Sequence, residues 1–101
     1  MIEVRDNPEL SRFTITVDGA PAGFAQYVKR AGRVLFVHTE IDPAFEGKGL
    51  GGALAKAALD ATREQGARVV PLCPFIASYI ERHPDYADMV DHELMSQLGD
   101  A

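Results

Sequence analysis

Glu46-Gly47-Lys48-Gly49-Leu50-Gly51-Gly52 is the stretch that decides the fold, because it places four glycines and one lysine where an extended run gives way to a helix. A helix start leaves its first backbone N–H groups unpaired and carries partial positive charge. Glycines allow an anion to come close to that backbone. The stretch therefore predicts a binding site for a phosphate or a pyrophosphate.

The residues on either side indicate a strand before the loop and a helix after it. Upstream, Val34–Ile41 is rich in β-branched and aromatic residues and ends at the turn signal Asp42-Pro43. Downstream, apolar residues recur at the spacing of one helix face, and Gly66 is placed to end that helix. The predicted face consists of Leu50, Ala53, Leu54, Ala57, Ala58 and Ala61.

Two common phosphate-binding motifs do not account for the loop. Gly47, Gly49 and Gly52 satisfy the dinucleotide pattern G-x-G-x-x-G, but five residues separate them from the strand, and no acidic residue follows the next apolar run at 69–73 to hold a ribose. The ordinary phosphate loop requires Ser or Thr after its lysine, and Lys48 is followed by glycine. A third family of loops remains.

The segment Glu46–Gly51 resembles the Q/R-x-x-G-x-G/A signature of the GCN5-related N-acetyltransferases. In that family a strand, a loop and a helix start hold the pyrophosphate of acetyl-CoA. Glu46 stands in the Gln/Arg place, which removes one side-chain donor and leaves the backbone N–H groups unchanged. The resemblance covers roughly residues 10 to 90. It is to the small, single-domain branch of the superfamily. It also includes His38–Ile41, Pro71–Phe75 and Tyr79–Tyr86.

The remaining chain predicts a mixed sheet. Residues 10–17 and 23–30 read as strands that precede the strand at 34–41, so three strands form an antiparallel meander. In the first strand Phe13, Ile15 and Val17 share one side, and in the second Phe24 and Val28 are expected to point inward. After the helix, residues 68–72 form a strand that a crossover places parallel to its neighbour.

The end of this last strand predicts a gap in the sheet. Pro71 and Pro74 cannot donate to a ladder, so pairing should fail near Cys73. The resemblance implies that two parallel strands splay here and that the pantetheine arm passes between them. Phe75–Arg82 is predicted as a helix with Ile76, Tyr79 and Ile80 on its apolar side, ended by His83-Pro84.

The predicted fold class is α/β (α+β): a mixed, mostly antiparallel sheet with a central parallel pair and two main covering helices. A single domain spans residues 1–101. A tail is expected from Asp88 onward, partly flexible from about residue 91, in which Leu94 and Leu98 extend another helical turn or two and Gly99-Asp100-Ala101 is frayed.

The composition of the chain limits the classes of function that it can have. The chain has 101 residues, 47% hydrophobic and 25% charged, as expected for one globular domain. Its apolar runs fall far short of the roughly 20 residues of a membrane span, and the first residues lack a signal core, so a cytoplasmic location is expected. One cysteine excludes an internal disulfide. The net charge of −5 argues against nucleic-acid binding and favours a cationic substrate such as an amine.

Cys73 has two interpretations. It is a buried small hydrophobic residue, as free cysteines often are, or it accepts the acyl group or touches the thioester. The flanking prolines define the backbone at this position beyond what packing requires, and the resemblance points the same way. Direct transfer and an acyl-cysteine step both remain open.

Glu40 and His38 lie on one face of their strand, since side chains alternate with a period of two. Either one could accept the proton of the incoming ammonium, and Glu40 is the preferred base. The plain alternative makes Glu40 a solvated strand residue and His38 a polar side chain in a half-buried sheet. The three histidines, at 38, 83 and 92, lack metal-ligand spacing, so no metal site is expected.

Contacts to acetyl-CoA are expected from the loop and from the two segments that follow it. Lys48 adds charge near the phosphates or is solvated. Tyr79 covers the thiol end of the cofactor or packs in the core, and Arg82 meets a 3′-phosphate. The predicted cofactor residues are Ile41, Glu46, Gly47, Lys48, Gly49, Leu50, Gly51, Gly52, Cys73, Phe75, Tyr79 and Arg82.

The resulting functional prediction is an acetyl-CoA-dependent N-acetyltransferase that acts on a primary amine of a protein lysine, an N-terminus or a small polyamine. The chain is expected to be a monomer or a weak homodimer without membrane or nucleic-acid partners. Two alternatives remain: a coenzyme A-binding module without transfer chemistry, and a structural domain with a glycine-rich turn. If the chain is only a structural domain, adding coenzyme A should not change its unfolding temperature.

Overall fold

A computed structural model describes residues 1–99 of the chain as a five-stranded sheet in the order β1-β2-β3-β4-β5. The first four strands are antiparallel and β4 and β5 are parallel. The mixed sheet is confirmed, although the parallel pair occupies one edge rather than the centre. The strands are β1 Ile2–Asn7, β2 Arg12–Val17, β3 Ala20–Arg30, β4 Arg33–Ile41 and β5 Arg68–Pro71; the helices are α1 Leu50–Glu64, α2 Pro74–Arg82 and α3 His92–Gly99.

Strand β1 was not among the predicted strands. It pairs along β2 from Ile2↔Val17 to Asn7↔Arg12 and forms one edge of the sheet. Its burial is slight: Ile2 is exposed and Val4 is half-buried. An edge strand of this kind is stabilised by its backbone ladder more than by apolar burial, so its apolar pattern is weak.

Strand β3 contains a bulge just before the predicted strand at 23–30, and the prediction that Phe24 and Val28 point inward is wrong. The partners Ile15↔Gly23 and Thr16↔Pro21 leave Ala22 as the extra residue. The buried residues of the strand are instead Ala22, Ala25 and Tyr27. Apolar residues occupy both sides of this strand, so periodicity alone could not decide between them. The hydroxyl of Tyr27 reaches Asp6 at 2.6 Å, which satisfies its polar tip.

A second bulge lies in β4 and determines which face carries the candidate catalytic residues. Gln26 pairs with His38 and Tyr27 pairs with Phe36, so Val37 is the extra residue. Before the bulge the even-numbered Val34 and Phe36 are buried. After it the even-numbered side chains are exposed, because the extra residue reverses the alternation.

One hydrophobic core joins α1 and α2 to a single face of the sheet. Leu50, Leu54 and Ala58 of the predicted α1 face are buried, whereas the other three predicted residues, all alanines, are half-buried. The buried stripe is rotated toward Ala55, Leu59 and Thr62, which are all buried. Thr62 satisfies its hydroxyl on the Ala58 carbonyl at 2.8 Å.

Helix α1 ends as predicted at Gly66, which has φ +71°. The N–H of Gly66 donates to the carbonyl of Arg63, and the N–H of Ala67 donates to that of Thr62. This pair of bonds is a Schellman motif, which requires a left-handed residue at the position of Gly66. Helix α2 also ends as predicted, at His83.

The segment predicted as a tail contributes to the packing. A 3₁₀-helix covers Pro84–Met89, and Val90 forms an isolated parallel bridge with Val69. Asp91 pairs with Arg33 at 2.6 Å and accepts from the N–H of Leu94, which caps α3. The prediction of a tail from Asp88 is therefore wrong for residues 88–91. The predicted fraying of Asp100 and Ala101 lies outside the described residues.

Within residues 1–99, the helices are all too short or too polar to cross a membrane.

Candidate active site

The loop between β4 and α1 owes its path to two left-handed glycines. A 3₁₀ turn at Pro43–Phe45 comes first, and the side chain of Asp42 accepts from the N–H of Ala44 at 2.9 Å. Gly47 then has φ +81° and Gly49 has φ +74°. Side chains other than glycine are strained in this backbone region, so these two glycines shape the loop.

The other two glycines of the loop lie inside the first turn of α1 and have a different role. A Cβ at Gly51 would lie 2.6 Å from Cζ of Phe75, so its absence lets α2 pack closely against α1. A Cβ at Gly52 would meet only Cε2 of Tyr79, at 3.9 Å. A Cβ at Gly52 therefore makes only an ordinary van der Waals contact.

The start of α1 is electrostatically suited to an anion. Its first intrahelical bond runs from the N–H of Ala53 to the carbonyl of Gly49 at 3.2 Å, so the N–H groups of the three residues between them precede the helical ladder. Among residues 1–99, no side chain caps this start, and its first turn contains no acidic residue. Lys48 lies beside it, with Nζ 5.8 Å from the ring centroid of Phe45.

Two cavities flank this helix start, and both are lined by Gly49, Gly51 and Phe75. One, of about 310 Å³, extends to Thr39 and Ile41 at the end of β4. The other, of about 530 Å³, extends over α2. Phe45, Glu46, Gly47 and Leu50 complete the first, and Gly52, Tyr79, Arg82 and His83 complete the second. The cavities bring all the predicted cofactor residues together except Lys48 and Cys73.

The parallel ladder ends next to the first cavity, as predicted. Its last pair is Phe36↔Pro71, and the N–H of Cys73 still donates to the carbonyl of Phe36 at 2.8 Å. Beyond that point β5 turns into α2, so the described part of β5 does not pair with β4 from Val37 onward. A strip of β4 edge is left beside the cavity, with backbone groups free to meet an extended ligand.

Cys73 lies at this gap and is 4% exposed. Its Sγ donates to Oγ1 of Thr39 at 3.4 Å, across the space between the end of β5 and β4. The thiol therefore lies on the helix-covered face of the sheet. A ligand must therefore enter the gap to reach this thiol.

His38 and Glu40 lie on the opposite, open face. Nε2 of His38 is 3.7 Å from Oε2 of Glu40, and their side chains are 59% and 62% exposed. The structure brings these two together as predicted, but it separates them from Cys73 by the thickness of the strand. The three candidate catalytic residues do not form one cluster.

Helix α2 supplies the aromatic side of the second cavity. Tyr79 is buried and stacks on His83, with centroids 3.9 Å apart and planes at 17°. Nδ1 of His83 lies 2.9 Å from the carbonyl of Tyr79, which holds the ring against the helix. Arg82 is exposed at the rim.

Sequence reasoning missed Thr39 and Phe45. Thr39 was missed because of the bulge. Regular alternation from Phe36 would place the Thr39 side chain on the face of the sheet opposite the core. Phe45 lines the first cavity from the 3₁₀ turn that precedes the glycines. In residues 1–99, no three His, Cys, Asp or Glu side chains are grouped to hold a metal ion.

Comparison with known proteins gives a consistent result. The sequence profile of the GCN5-related N-acetyl-transferase family matches residues 12–89. Protein NATD1 of Gallus gallus is 29% identical over 85 residues, which cover 82% of this chain and 77% of that protein, and Protein NATD1 of Homo sapiens is also 29% identical over 85 residues, with 82% and 75% covered.

Two solved structures share the fold. A GCN5-like protein from Staphylococcus aureus superimposes with a TM-score of 0.67 at 21% identity and covers 87% of this chain and 86% of its own. Ard1 from Thermoplasma volcanium superimposes with a TM-score of 0.54 at 33% identity over 64% of this chain and 45% of its own.

Proposed function

Because the chain belongs to the GCN5-related N-acetyltransferase family, we propose that it transfers an acetyl group from acetyl-CoA to a primary amine in the cytoplasm. The family supports acyl transfer in general. The acceptor is a lysine side chain, a protein N-terminus or a small polyamine. The lone cysteine agrees with a reducing compartment.

The observation that supports the proposal most directly is the start of α1, where uncapped amides lie between two cavities. A diphosphate fits this position because the helix dipole and the free N–H groups favour negative charge. The backbone of residues 49–52 would hold the diphosphate, and the strip of β4 edge at Thr39 and Ile41 would hold the pantetheine arm. Arg82 is the candidate partner for a 3′-phosphate.

Bound acetyl-CoA supplies an acetyl group activated as a thioester, and the reaction exchanges a C–S bond for a C–N bond. The protein must remove a proton from the ammonium, because only a neutral amine is nucleophilic. Glu40 is the preferred acceptor of that proton, with His38 beside it. Cys73 and Thr39 lie where the arm would end, so the thiol either contacts the reacting group or accepts it.

Gly52→Asp tests the phosphate site without a steric penalty. An aspartate in the first turn of a helix is favourable for folding, while its charge competes with the diphosphate. We expect coenzyme A affinity to fall at least tenfold and the free energy of unfolding to stay equal or rise. Calorimetric titration and thermal unfolding measure the two effects.

Gly52→Asn is the matched control, since it has nearly the same shape without the charge, and it should lose much less affinity. Equal coenzyme A affinity in the wild type and in Gly52→Asp would contradict the proposed phosphate position. In the wild type, coenzyme A at a hundredfold excess over Kd should raise stability by about 2.7 kcal/mol. The absence of any such shift would favour a purely structural domain.

Gly49→Val is a less suitable test than the loop sequence implies. The sequence predicts that this variant loses binding and keeps its fold, but Gly49 has φ +74°, a conformation that a β-branched residue strains to adopt. Loss of stability would therefore accompany loss of binding. Gly52 avoids this complication.

Cys73→Ala decides between direct transfer and an acyl-cysteine. If the thiol carries the acetyl group, the variant should lose turnover by orders of magnitude, and intact-protein mass spectrometry of the wild type should detect an added acetyl group on Cys73 after an acid quench. Full turnover in Cys73→Ala would leave direct transfer as the mechanism.

A coenzyme A-binding module without turnover is the second candidate. The observation in its favour is the carboxylate of Glu46, which lines the first cavity where the family signature has Gln or Arg. Radiolabelled acetyl-CoA and a panel of amines separate the two functions. Coenzyme A binding with neither labelled amine nor labelled Cys73 would support the module.

A further inference from the structure

A third cavity, of about 310 Å³, lies on the open face of the sheet, where α1 and α2 do not pack. Its floor is the ring of Phe24 in the cross-strand row Thr14–Phe24–Glu40. Pro21 and Pro43 add apolar walls, and the carboxylates of Glu40 and Asp42 line the β4 side. This combination of an apolar floor and two acidic groups is not used by the coenzyme A site.

The third cavity and the coenzyme A site lie on opposite faces of the same short piece of β4. Thr39 and Ile41 line the cavity on the helix-covered face, while Glu40 and Asp42 line the cavity on the open face. The strand edge between them is open because β5 stops pairing at Pro71. A flexible side chain that lies on the open face can therefore pass over this edge and reach the gap at Cys73.

The charges of the third cavity favour one class of ligand. Methylene groups pack against an aromatic and proline surface, and carboxylates bind an ammonium through charge-assisted hydrogen bonds. One oxygen of Asp42 is occupied by the N–H of Ala44, which leaves the other for a ligand. The guanidinium of Arg12 lines the same cavity and lies over the ring of Phe24, with Cζ 4.6 Å from the centroid. Its charge opposes a second cation.

We propose that the third cavity binds the acceptor, and that the acceptor is a primary alkylammonium on an uncharged stem, such as a lysine side chain, rather than a polyamine. This inference rests on the proposed transferase function. It assigns Glu40 and Asp42 to the first recognition of the ammonium, before the side chain passes over the strand edge to the gap at Cys73. It assigns Phe24 to the stem and Arg12 to exclusion of a second positive charge.

Kinetics with two acceptors test the assignment. Nα-acetyl-lysine methylamide carries one ammonium on a neutral stem, and spermidine carries several charges. Asp42→Asn keeps an oxygen for the Ala44 cap and should raise KM for the lysine probe about five- to tenfold with kcat and coenzyme A affinity unchanged. Glu40→Gln should raise the same KM and also lower kcat if Glu40 is the base.

Arg12→Gln should increase the preference for spermidine over the lysine probe at least severalfold, because the repelling charge is removed. Glu64→Gln, which removes an exposed carboxylate at the far end of α1, is the control and should change neither KM. An unchanged KM in both Asp42→Asn and Glu40→Gln, or an equal change in Glu64→Gln, would overturn the inference.

Binding alone provides a second readout that does not depend on turnover. Titration of the lysine probe into the protein should shift the NMR signals of Phe24, Gln26 and His38, and Asp42→Asn should weaken that shift. If no amine is acetylated but these signals move, the transferase proposal fails and the binding site stands. If amines are acetylated and these signals do not move, the binding site fails and the transferase proposal stands.

Discussion

At the scale of single residues, Gly23 is constrained by the backbone of the neighbouring strand. A Cβ there would lie 2.4 Å from the carbonyl oxygen of Glu40 and 2.7 Å from Cδ1 of Ile41. We expect Gly23→Ala to lower the free energy of unfolding by about 1–3 kcal/mol, because a backbone oxygen cannot move aside without distorting the β3–β4 ladder. Urea unfolding measures the change.

Gly52→Ala is the control for this prediction. The same methyl group meets nothing closer than 3.9 Å in the first turn of α1. It should raise stability by about 0.5–1 kcal/mol, as expected when alanine replaces glycine in a helix. Equal effects of the two substitutions would show that the contact at Gly23 is relieved at little cost.

The glycine loop shows how far residue-level prediction reaches. The helix start was predicted correctly, because four glycines that separate a strand pattern from a helix pattern mark the boundary between the two elements. The pattern could not distinguish Gly47 and Gly49, which shape the backbone, from Gly51, which makes room for Phe75. That distinction depends on a contact between residues far apart in the chain.

At the scale of elements, a tyrosine joins α1 to the segment that follows α2. The hydroxyl of Tyr86 donates to Asp60 at 2.6 Å, and burial followed by this bond raises the pKa of Tyr86 to about 12. Because the folded-state pKa is raised above the ordinary value of about 10, the neutral phenol contributes stability below pH 10 that is lost as the pH rises toward 12.

Wild-type stability should therefore decline between about pH 10 and pH 12, and Tyr86→Phe should show a smaller decline. At neutral pH the free energy of unfolding of the variant should be lower by about 1 kcal/mol. The variant loses one hydrogen bond, but the carboxylate of Asp60 stays in contact with water. Chemical unfolding across this pH range measures both. Parallel pH profiles for the two proteins would exclude Tyr86 as the titrating group.

The elements also show where sequence patterns lose information. Both covering helices and four of the five strands were predicted, since each carries an apolar period of its own. The two bulges, at Ala22 and Val37, were not predicted, and the bulge at Val37 led the sequence reasoning to miss Thr39. A bulge arises from the pairing of two strands, so neither strand alone records it.

At the scale of the whole molecule, the helices cover one face of the sheet and leave the other open, while the chain carries a net charge of −5. A negative protein attracts a cationic acceptor over distances set by the Debye length, which shrinks from about 30 Å at 0.01 M salt to about 3 Å at 1 M. KM for a lysine-containing basic peptide should therefore rise severalfold over this range in acetylation assays.

A peptide with the same lysine between glutamates should show the opposite trend, because salt then screens a repulsion. If both peptides respond to salt in the same way, long-range charge does not guide the acceptor. The direction of the effect follows from composition alone.

The extra residue at Val37 has an evolutionary consequence. Because Val37 is the unpaired residue of the bulge, a one-codon deletion there would restore regular pairing and leave residues 38–41 opposite their present partners and on their present faces. A codon inserted between His38 and Glu40 would have a different effect if the β3–β4 pairing were kept. It would move the carboxylate of Glu40 to the helix-covered face and the hydrocarbon side chain of Ile41 to the open face.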